Sequence, residues 1–595
     1  MTHPRALVNC FVFAFQTFQV SCCLAAEEDR PSFVDSLPAN TAAYLHVPDY
    51  RRLALRAGQT APGRFADDPE SSDFAGGFAQ TFLDFLFPAS RLAREEAVDG
   101  FGPALRETPA LPVGEALAAW IPNDAGELDG LLILEAGREP EAARPLYEAR
   151  REQLARESEQ VERQSLDGGE LLAFTAGDGR TLGALAERDG LFAFADRPET
   201  LREWFAALDG GGTATLANGP RFHERMKAFR DRADGDHHAE WYVGPVALYR
   251  GAIGANPVFG LEPAAVPALG LDGLHGLGGR LTLATKRYDL LLEMELWLEE
   301  PRAGVAALVA LGQGETAAES WVPREAATYA TLLWDVPRSR LRLTELIDAF
   351  EGRGAGEELL VQELPLGAAS AEGEELLRSL AGRFSYVAWF DGPLGAASYR
   401  RLWGIKMHGG TAPQAAAAAL TAEHPSECEK RDYLGQSYWL RRSLGEDYVE
   451  RTAAYCPLEE YLLVGDSAES IERAIATERG QASPLADELD YKLFANRQRR
   501  LEGETPAGLV HFHRPEAYLR HIHALATSED SRSLLETLAA QHPVYRALAR
   551  AVDRHPLPAF ERFEPYLAPL GGALSDDGTT LRYTFFAQRR RSAPK

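Results

Sequence analysis

The segment Leu191–Leu208, LFAFADRPETLREWFAAL, holds a buried strand, a tight turn and an amphipathic helix, and the chain contains this pattern twice. Tyr461–Ala476, YLLVGDSAESIERAIA, repeats it 270 residues later, with Asp196 falling on Asp466, Glu199 on Glu469, Leu201 on Ile471 and Phe205 on Ile475. LFAFA and YLLVG are unbroken apolar runs, as expected of strands covered on both faces, which have no reason to alternate. Asp196 and Asp466 stand where a helix N-cap would accept hydrogen bonds from the free amides of the first turn. Glu199 and Glu469, three residues on, complete a capping-box arrangement. Leu201, Trp204, Phe205 and Leu208 recur at helical spacing and give one apolar face to lay on a sheet. Packing accounts for the whole unit. A hydrolase reading of Gly465-Asp466-Ser467 would need Ser467 as nucleophile and a His-containing partner block near the C-terminus, yet Ser467 falls in a helix's first turn and its counterpart is Arg197.

Other echoes keep the same order along the chain. Pro38, Ala42 and Tyr44 match Pro323, Ala327 and Tyr329 at a shift of 285, and Leu132, Gly137 and Pro140 match Ile405, Gly410 and Pro413 at 273. Pro245, Ala247 and Arg250 match Pro515, Ala517 and Arg520 at 270, and Leu277-Gly278-Gly279 matches Leu570-Gly571-Gly572 at 293. Ordered shifts of this kind are the mark of an old tandem duplication with loop insertions. At 595 residues the chain is too long for one core. Length alone suggests three or four domains, but the repeat predicts residues 27–312 and 313–595 as two related domains joined near Gly312–Glu319. Paired strands precede each central element: Glu162–Phe174 with Thr181–Ala195, and Gln436–Leu444 with Tyr448–Cys456. Hairpin-connected strands interrupted by helices predict an α+β fold, each domain a mainly antiparallel sheet with helices packed on one face. An aromatic stripe, Phe74, Phe78, Phe82, Phe85 and Leu86, predicts one further amphipathic helix.

The first 26 residues have a basic Arg5, an apolar run over Ala6–Val20 broken by a few polar residues, and small residues ahead of Glu27-Glu28-Asp29. That is the layout of a secretory signal peptide, and it predicts a periplasmic or extracellular protein. Lipoprotein anchoring at Cys22 is the minority reading, because Gln19 stands where Leu is wanted. No other stretch is long and apolar enough to span a bilayer. Removing the leader leaves Cys428 and Cys456, which an oxidising compartment favours as a disulfide.

Lys and Arg total 62 against 88 Asp and Glu, a formal charge of −26. Nucleic acid is therefore an unsuitable partner, since phosphate contacts require clustered cations. The most suggestive polar cluster is HFHRPEAYLRHIHAL. His511 and His513 share one face of a predicted strand and could supply two metal ligands, whereas His521 and His523 diverge on a helix. By counting, His511 and His513 correspond to Tyr242 and Gly244, so the pair is not part of the shared design. His237-His238, beside Asp234 and Asp236, reads as a polar loop. The chain has no G-x-S-x-G elbow, no H-E-x-x-H helix and no G-x-x-x-x-G-K loop. Gly276, Gly278 and Gly279 precede a strand and so lack the helix N-terminus that holds a pyrophosphate. No cofactor is implied.

With the leader, the LPANTAAYLHVPD opening, the repeated strand-turn-helix and the SDDGTTLRYTF ending together, the chain resembles a family of large exported bacterial proteins of unknown function, abundant in planctomycete-type genomes. The resemblance implies export and a repeated α+β design, and it brings no catalytic residues. The leading expectation is a non-enzymatic binding or structural component of the cell envelope, with an envelope protein, glycan or lipid as partner. Two alternatives are an exported hydrolase using His511, His513, Asp447 and Asp466 at the junction of the halves, and a hydrophobic-ligand carrier.

Overall fold

Twenty strands form among the residues described by the computed structural model, which are 32–590 apart from 70–113, 137–139, 212–213, 232–236, 254–265, 268, 364–370, 396–397, 423, 445–449, 504, 528–535, 538, 541–545, 547–548 and 550–556. The first 31 residues, with the expected leader among them, the stripe from Phe74 to Leu86 and Asp447 lie outside the described residues. The chain folds into two compact units, Met1–Pro263 with Leu274–Trp297 and His542–Pro558, and Ala264–Gly273 with Leu298–Gln541 and Ala559–Lys595. Leu298–Gly312 therefore belongs with the second unit. Leu311 bridges to Trp334, and the Gly312 amide donates to the Leu333 carbonyl at 2.7 Å.

In the first unit the strands are β1 (Ala43–Val47), β2 (Ala116–Pro122), β3 (Leu128–Glu135), β4 (Gln160–Leu166), β5 (Gly169–Thr175), β6 (Thr181–Arg188), β7 (Leu191–Ala195), β8 (Ala239–Val243), β9 (Leu274–Leu283) and β10 (Tyr288–Leu298). They form one antiparallel sheet in the order β10-β9-β8-β1-β2-β3-β7-β6-β5-β4. The second unit contains β11 (Thr328–Leu333), β12 (Leu380–Phe390), β13 (Tyr399–Met407), β14 (Cys428–Tyr433), β15 (Gln436–Leu444), β16 (Glu450–Leu458), β17 (Tyr461–Gly465), β18 (Ala507–His513), β19 (Leu570–Asp576) and β20 (Thr580–Gln588). Its antiparallel order is β20-β19-β18-β11-β12-β13-β17-β16-β15-β14. Adding ten to each number of the first order gives the second.

Helices pack on both faces of each sheet, not on one as the sequence suggested. Leu191 and Ala193 of β7 join a core with Leu201, Trp204 and Phe205 of helix α1 (Pro198–Leu208). Phe192 and Phe194 face the other way, toward Tyr147 of helix α2 (Pro140–Glu157), whose ring lies 5.4 and 6.1 Å from theirs. A run buried at every residue requires cover on both sides, and the LFAFA pattern already implied it. Around β17, helix α3 (Ala412–Ala422) packs over Leu462 and Val464, while helix α4 (Ala468–Glu478) buries Ile471 and Ile475.

Turn chemistry divides strands that their apolar pattern had joined. Asp167-Gly168 separates β4 from β5 and Asp189-Gly190 separates β6 from β7; Gly168 has φ 79°, Asp189 49° and Gly190 77°. Left-handed residues of this kind form the tight hairpins that match strand twist. The two aspartates do not cap the helices. Asp196 Oδ2 accepts from the Gly130 amide at 2.6 Å, and Asp466 Oδ2 from the Arg401 amide at 2.9 Å. Both carboxylates tie a strand end to the neighbouring strand. The cap position falls one residue later, on Arg197, which makes no side-chain cap bond, and on Ser467, which accepts from Ser470 N.

The disulfide expected between Cys428 and Cys456 is not formed, and both thiols are free. Cys428 on β14 and Cys456 on β16 are separated by β15. Two strand spacings, roughly 9.5 Å, exceed the reach of about 7 Å between bridged Cα atoms. Burial pushes the Cys456 thiol up to about 12.

Gly278 and Gly279 serve packing. A Cβ on Gly278 would lie 2.9 Å from the Trp297 ring, and one on Gly279 2.1 Å from the Trp241 ring. G279A is expected to destabilise the chain by about 1–3 kcal/mol through overpacking, measured by urea denaturation with intrinsic fluorescence. A chain of residues 27–595 prepared without reductant should show two thiols once denatured, counted by a chromogenic disulfide reagent.

Candidate functional site

In the first unit the backbone register sets His46 of β1 opposite Glu240 of β8, with Tyr44 two residues away on the same face. Glu240 is only 2% exposed. Its carboxylate accepts from Arg230 Nε at 3.0 Å and from the Tyr44 hydroxyl at 3.4 Å, and lies 3.5 Å from His46 Nδ1 and 3.3 Å from His237 Nε2. On its other side His46 Nε2 lies 2.7 Å from Glu115 Oε1, which also accepts from the Phe33 amide at 2.7 Å. Burial alone would raise the Glu240 carboxyl, but bonds to His237, His46 and Arg230 reverse this and hold it well below the usual carboxylate range. Burial likewise opposes charge on His46, yet Glu115 and Glu240 outweigh it and its pKa is raised.

The matching places in the second unit hold different residues with the same purpose. Thr331 stands where His46 does, and Arg383 where Glu115 does. Arg383 Nε lies 2.9 Å from Glu319 Oε1, and its guanidinium donates to Thr331 and to the Tyr329 hydroxyl at 3.3 Å each. Ser385 donates to Glu319 and is 3.1 Å from Thr331 Oγ1. Both centres compensate a buried charge with an opposite charge and hydrogen bonds, the condition on which such burial is tolerated.

His511 and His513 come together on one face of β18, as their spacing required. Register pairs them with Ala330 and Thr328. Those are the places that Trp241 and Val243 take opposite Leu45 and Ala43, rather than Tyr242 and Gly244. His511 Nδ1 is 3.0 Å from His513 Nε2, His511 Nε2 is 2.9 Å from the Tyr583 hydroxyl, and His513 Nδ1 is 2.9 Å from Thr328 Oγ1. From Thr328 the bonds continue to Tyr518 at 2.9 Å, from Tyr518 to Tyr399, and from Tyr399 to Tyr386 at 3.0 Å.

Seven side chains thus form one hydrogen-bonded line across the sheet. A neutral imidazole donates at one nitrogen and accepts at the other. Fixing the hydrogen of Tyr583 therefore fixes the tautomers of both histidines. All four ring nitrogens are engaged, so as arranged the pair turns no lone pair toward a metal. Among the described residues no group of three His, Cys, Asp or Glu side chains is placed to hold one. Burial, with His513 beside it, pushes His511 down to about 4, and burial lowers His513 as well. Protonating both rings would set the His511 Nδ1–H and His513 Nε2–H groups head-on.

The remaining sequence candidates are dispersed. His521 stacks on Phe390 at 4.4 Å, His523 lies 5.7 Å from the Phe560 ring, Ser467 caps its helix and Asp466 ties two strands. No helix among the described residues is long and apolar enough to cross a membrane. The Glu240 centre escaped sequence reasoning because its members lie far apart in the chain. Its one local signal is the histidine inside the apolar run Ala42–Val47.

E240Q should cost about 1–3 kcal/mol in denaturant titration, because it leaves buried His46 beside a neutral amide, while Arg230, with its side chain 38% exposed, can still reach water. The two histidine sites pull stability in opposite directions with pH. His46, raised in the folded state, contributes stability that is complete below pH 6.5 and lost as pH rises through its folded pKa. His511, depressed, contributes stability present above pH 6.5 and lost as pH falls through about 4. H511F should flatten the acid limb of a plot of midpoint against pH, and H46N the alkaline limb. No family model, curated protein or solved structure matches this chain.

Proposed function

We propose that the chain is an exported, non-enzymatic binding or structural component of the cell envelope, built by tandem duplication of one α+β unit. The duplication is supported by the shared strand order and by local ties that recur at matching positions. The Leu216 amide donates to the Leu37 carbonyl at 2.8 Å, and the Leu485 amide to the Val322 carbonyl at 2.8 Å. Asp196 and Asp466 are a second such pair. Export is supported by the leader and by the resemblance to exported proteins of unknown function.

One observation carries the binding reading over a hydrolytic one. The described candidates for catalysis that the sequence offered, and the buried His46, are committed to intramolecular partners: His46 to Glu115 and Glu240, His511 and His513 to each other, Tyr583 and Thr328, Ser467 to the first turn of α4, and Asp466 to the backbone of β13. A general base must reach the proton it abstracts, and these groups reach their own neighbours instead.

Fractionation of cells expressing the full chain tests the proposal, together with co-sedimentation of the purified mature chain with isolated envelopes. Saturable sedimentation with envelopes and no turnover of chromogenic ester, peptide, glycoside or phosphoester substrates is expected. Retention in the cytosol, or turnover abolished by H511F, would overturn it.

A further inference from the structure

We propose that the second unit carries a row on β13, formed by Tyr399, Arg401 and Trp403, that binds neutral pyranose rings of a glycan. This rests on the binding-protein reading above and names its ligand class. The three residues alternate along the strand, so they share one face at intervals of roughly 7 Å.

Trp403 lies in the interior of the sheet, opposite Tyr386 of β12 and Val464 of β17, yet it is 51% exposed. An interior strand position is usually covered, and the corresponding place in the first unit is half-buried against a core cluster. There Leu132, which register sets opposite Phe194 as Trp403 is set opposite Val464 and which counting by 273 had matched to Ile405, packs against the cluster that α2, a helix of 18 residues, completes. The helix over β13 is α3, with 11 residues, and it covers Ile405, Leu462 and Trp439 but not Trp403. Seven fewer residues shorten the cover by about 10 Å, and Arg401 and Trp403 lie exposed beside the half-buried Tyr399.

The surroundings select the ligand. Trp403 is braced by Tyr386, with ring centroids 4.6 Å apart at 50°, so the ring has a fixed pose. Beside it, the Arg401 guanidinium sits 5.9 Å from the Tyr399 ring, with Nε 3.4 Å from Asp466 Oδ2. The Tyr386 and Tyr399 hydroxyls are 3.0 Å apart. A pyranose presents an apolar C–H face and a rim of hydroxyls: the face matches the indole, and the rim matches the guanidinium, carboxylate and phenol groups, which donate and accept.

A lipid chain would want a continuous apolar groove, and Arg401 interrupts the row. An extended peptide would want a free sheet edge, and β13 is paired on both sides. An anionic polymer would meet Asp466 and a chain of formal charge −26.

Titration of the mature chain with cellohexaose, and separately with chitohexaose, read by tryptophan fluorescence and calorimetry, tests the proposal. Saturable binding of at least one is expected. W403A should weaken it by about tenfold or more and R401A in the same direction, both with an unchanged thermal midpoint. Absence of binding by the unaltered chain to either sugar, or a W403A variant that binds as tightly, would overturn the proposal. If envelope sedimentation persists in that case, the glycan row alone falls; if sedimentation is also absent, the binding-protein reading falls with it.

Discussion

Cover on both faces of the central strands is the constraint from which the rest of each unit follows. β7 and β17 are apolar at nearly every position and lie between other strands, so neither face can be left to water. One helix must follow the strand directly and fold back on one side, and another must arrive earlier in sequence to cover the opposite side. Helices α1 and α2 do this in the first unit, α4 and α3 in the second. Once these sandwiches are set, strands further along each sheet can carry polar groups, provided that each charge finds an opposite one.

That proviso shapes the junction of β1 with β8 and its counterpart in the second unit. In the first, an imidazole sits between two carboxylates, and an arginine satisfies the deeper of them. In the second, a guanidinium and a single carboxylate occupy matching ground, with Ser385 donating to the carboxylate and the guanidinium donating to Thr331 and Tyr329. The place that Glu115 takes in one unit and Arg383 in the other carries opposite charges, and each charge is offset locally.

Much of the architecture was legible because it depends on local pattern. The apolar runs at Leu191 and Tyr461, the helix that follows each and the repeated order of elements could all be read directly. Where reading failed, the deciding fact was not local. The cover on both faces required knowing which strands lie inside the sheet. The free thiols required knowing that β15 intervenes between Cys428 and Cys456. Asp196 and Asp466 looked like caps because the donors they satisfy and those a cap would satisfy are all backbone amides, and only the neighbouring strand decides between them. His511 and His513 were placed on one strand face as expected. Their hydrogen-bonded line through Thr328 to Tyr386 draws on five further elements, and no spacing rule could assemble it.

The strand order also fixes a sequence of events as the chain is made. Most neighbours in each sheet are joined by short turns and can pair as soon as they appear. β1 is different, because it pairs with β2 on one side and with β8, which begins at Ala239, on the other. Closing so long a loop is an entropically costly, slow step. The first strand to emerge therefore waits with one edge unpaired until almost two hundred residues have followed it, and β11 waits in the same way for β18. A chain that crosses a membrane unfolded and N-terminus first would carry that open edge through the crossing, so the strand synthesised first is among the last to be closed.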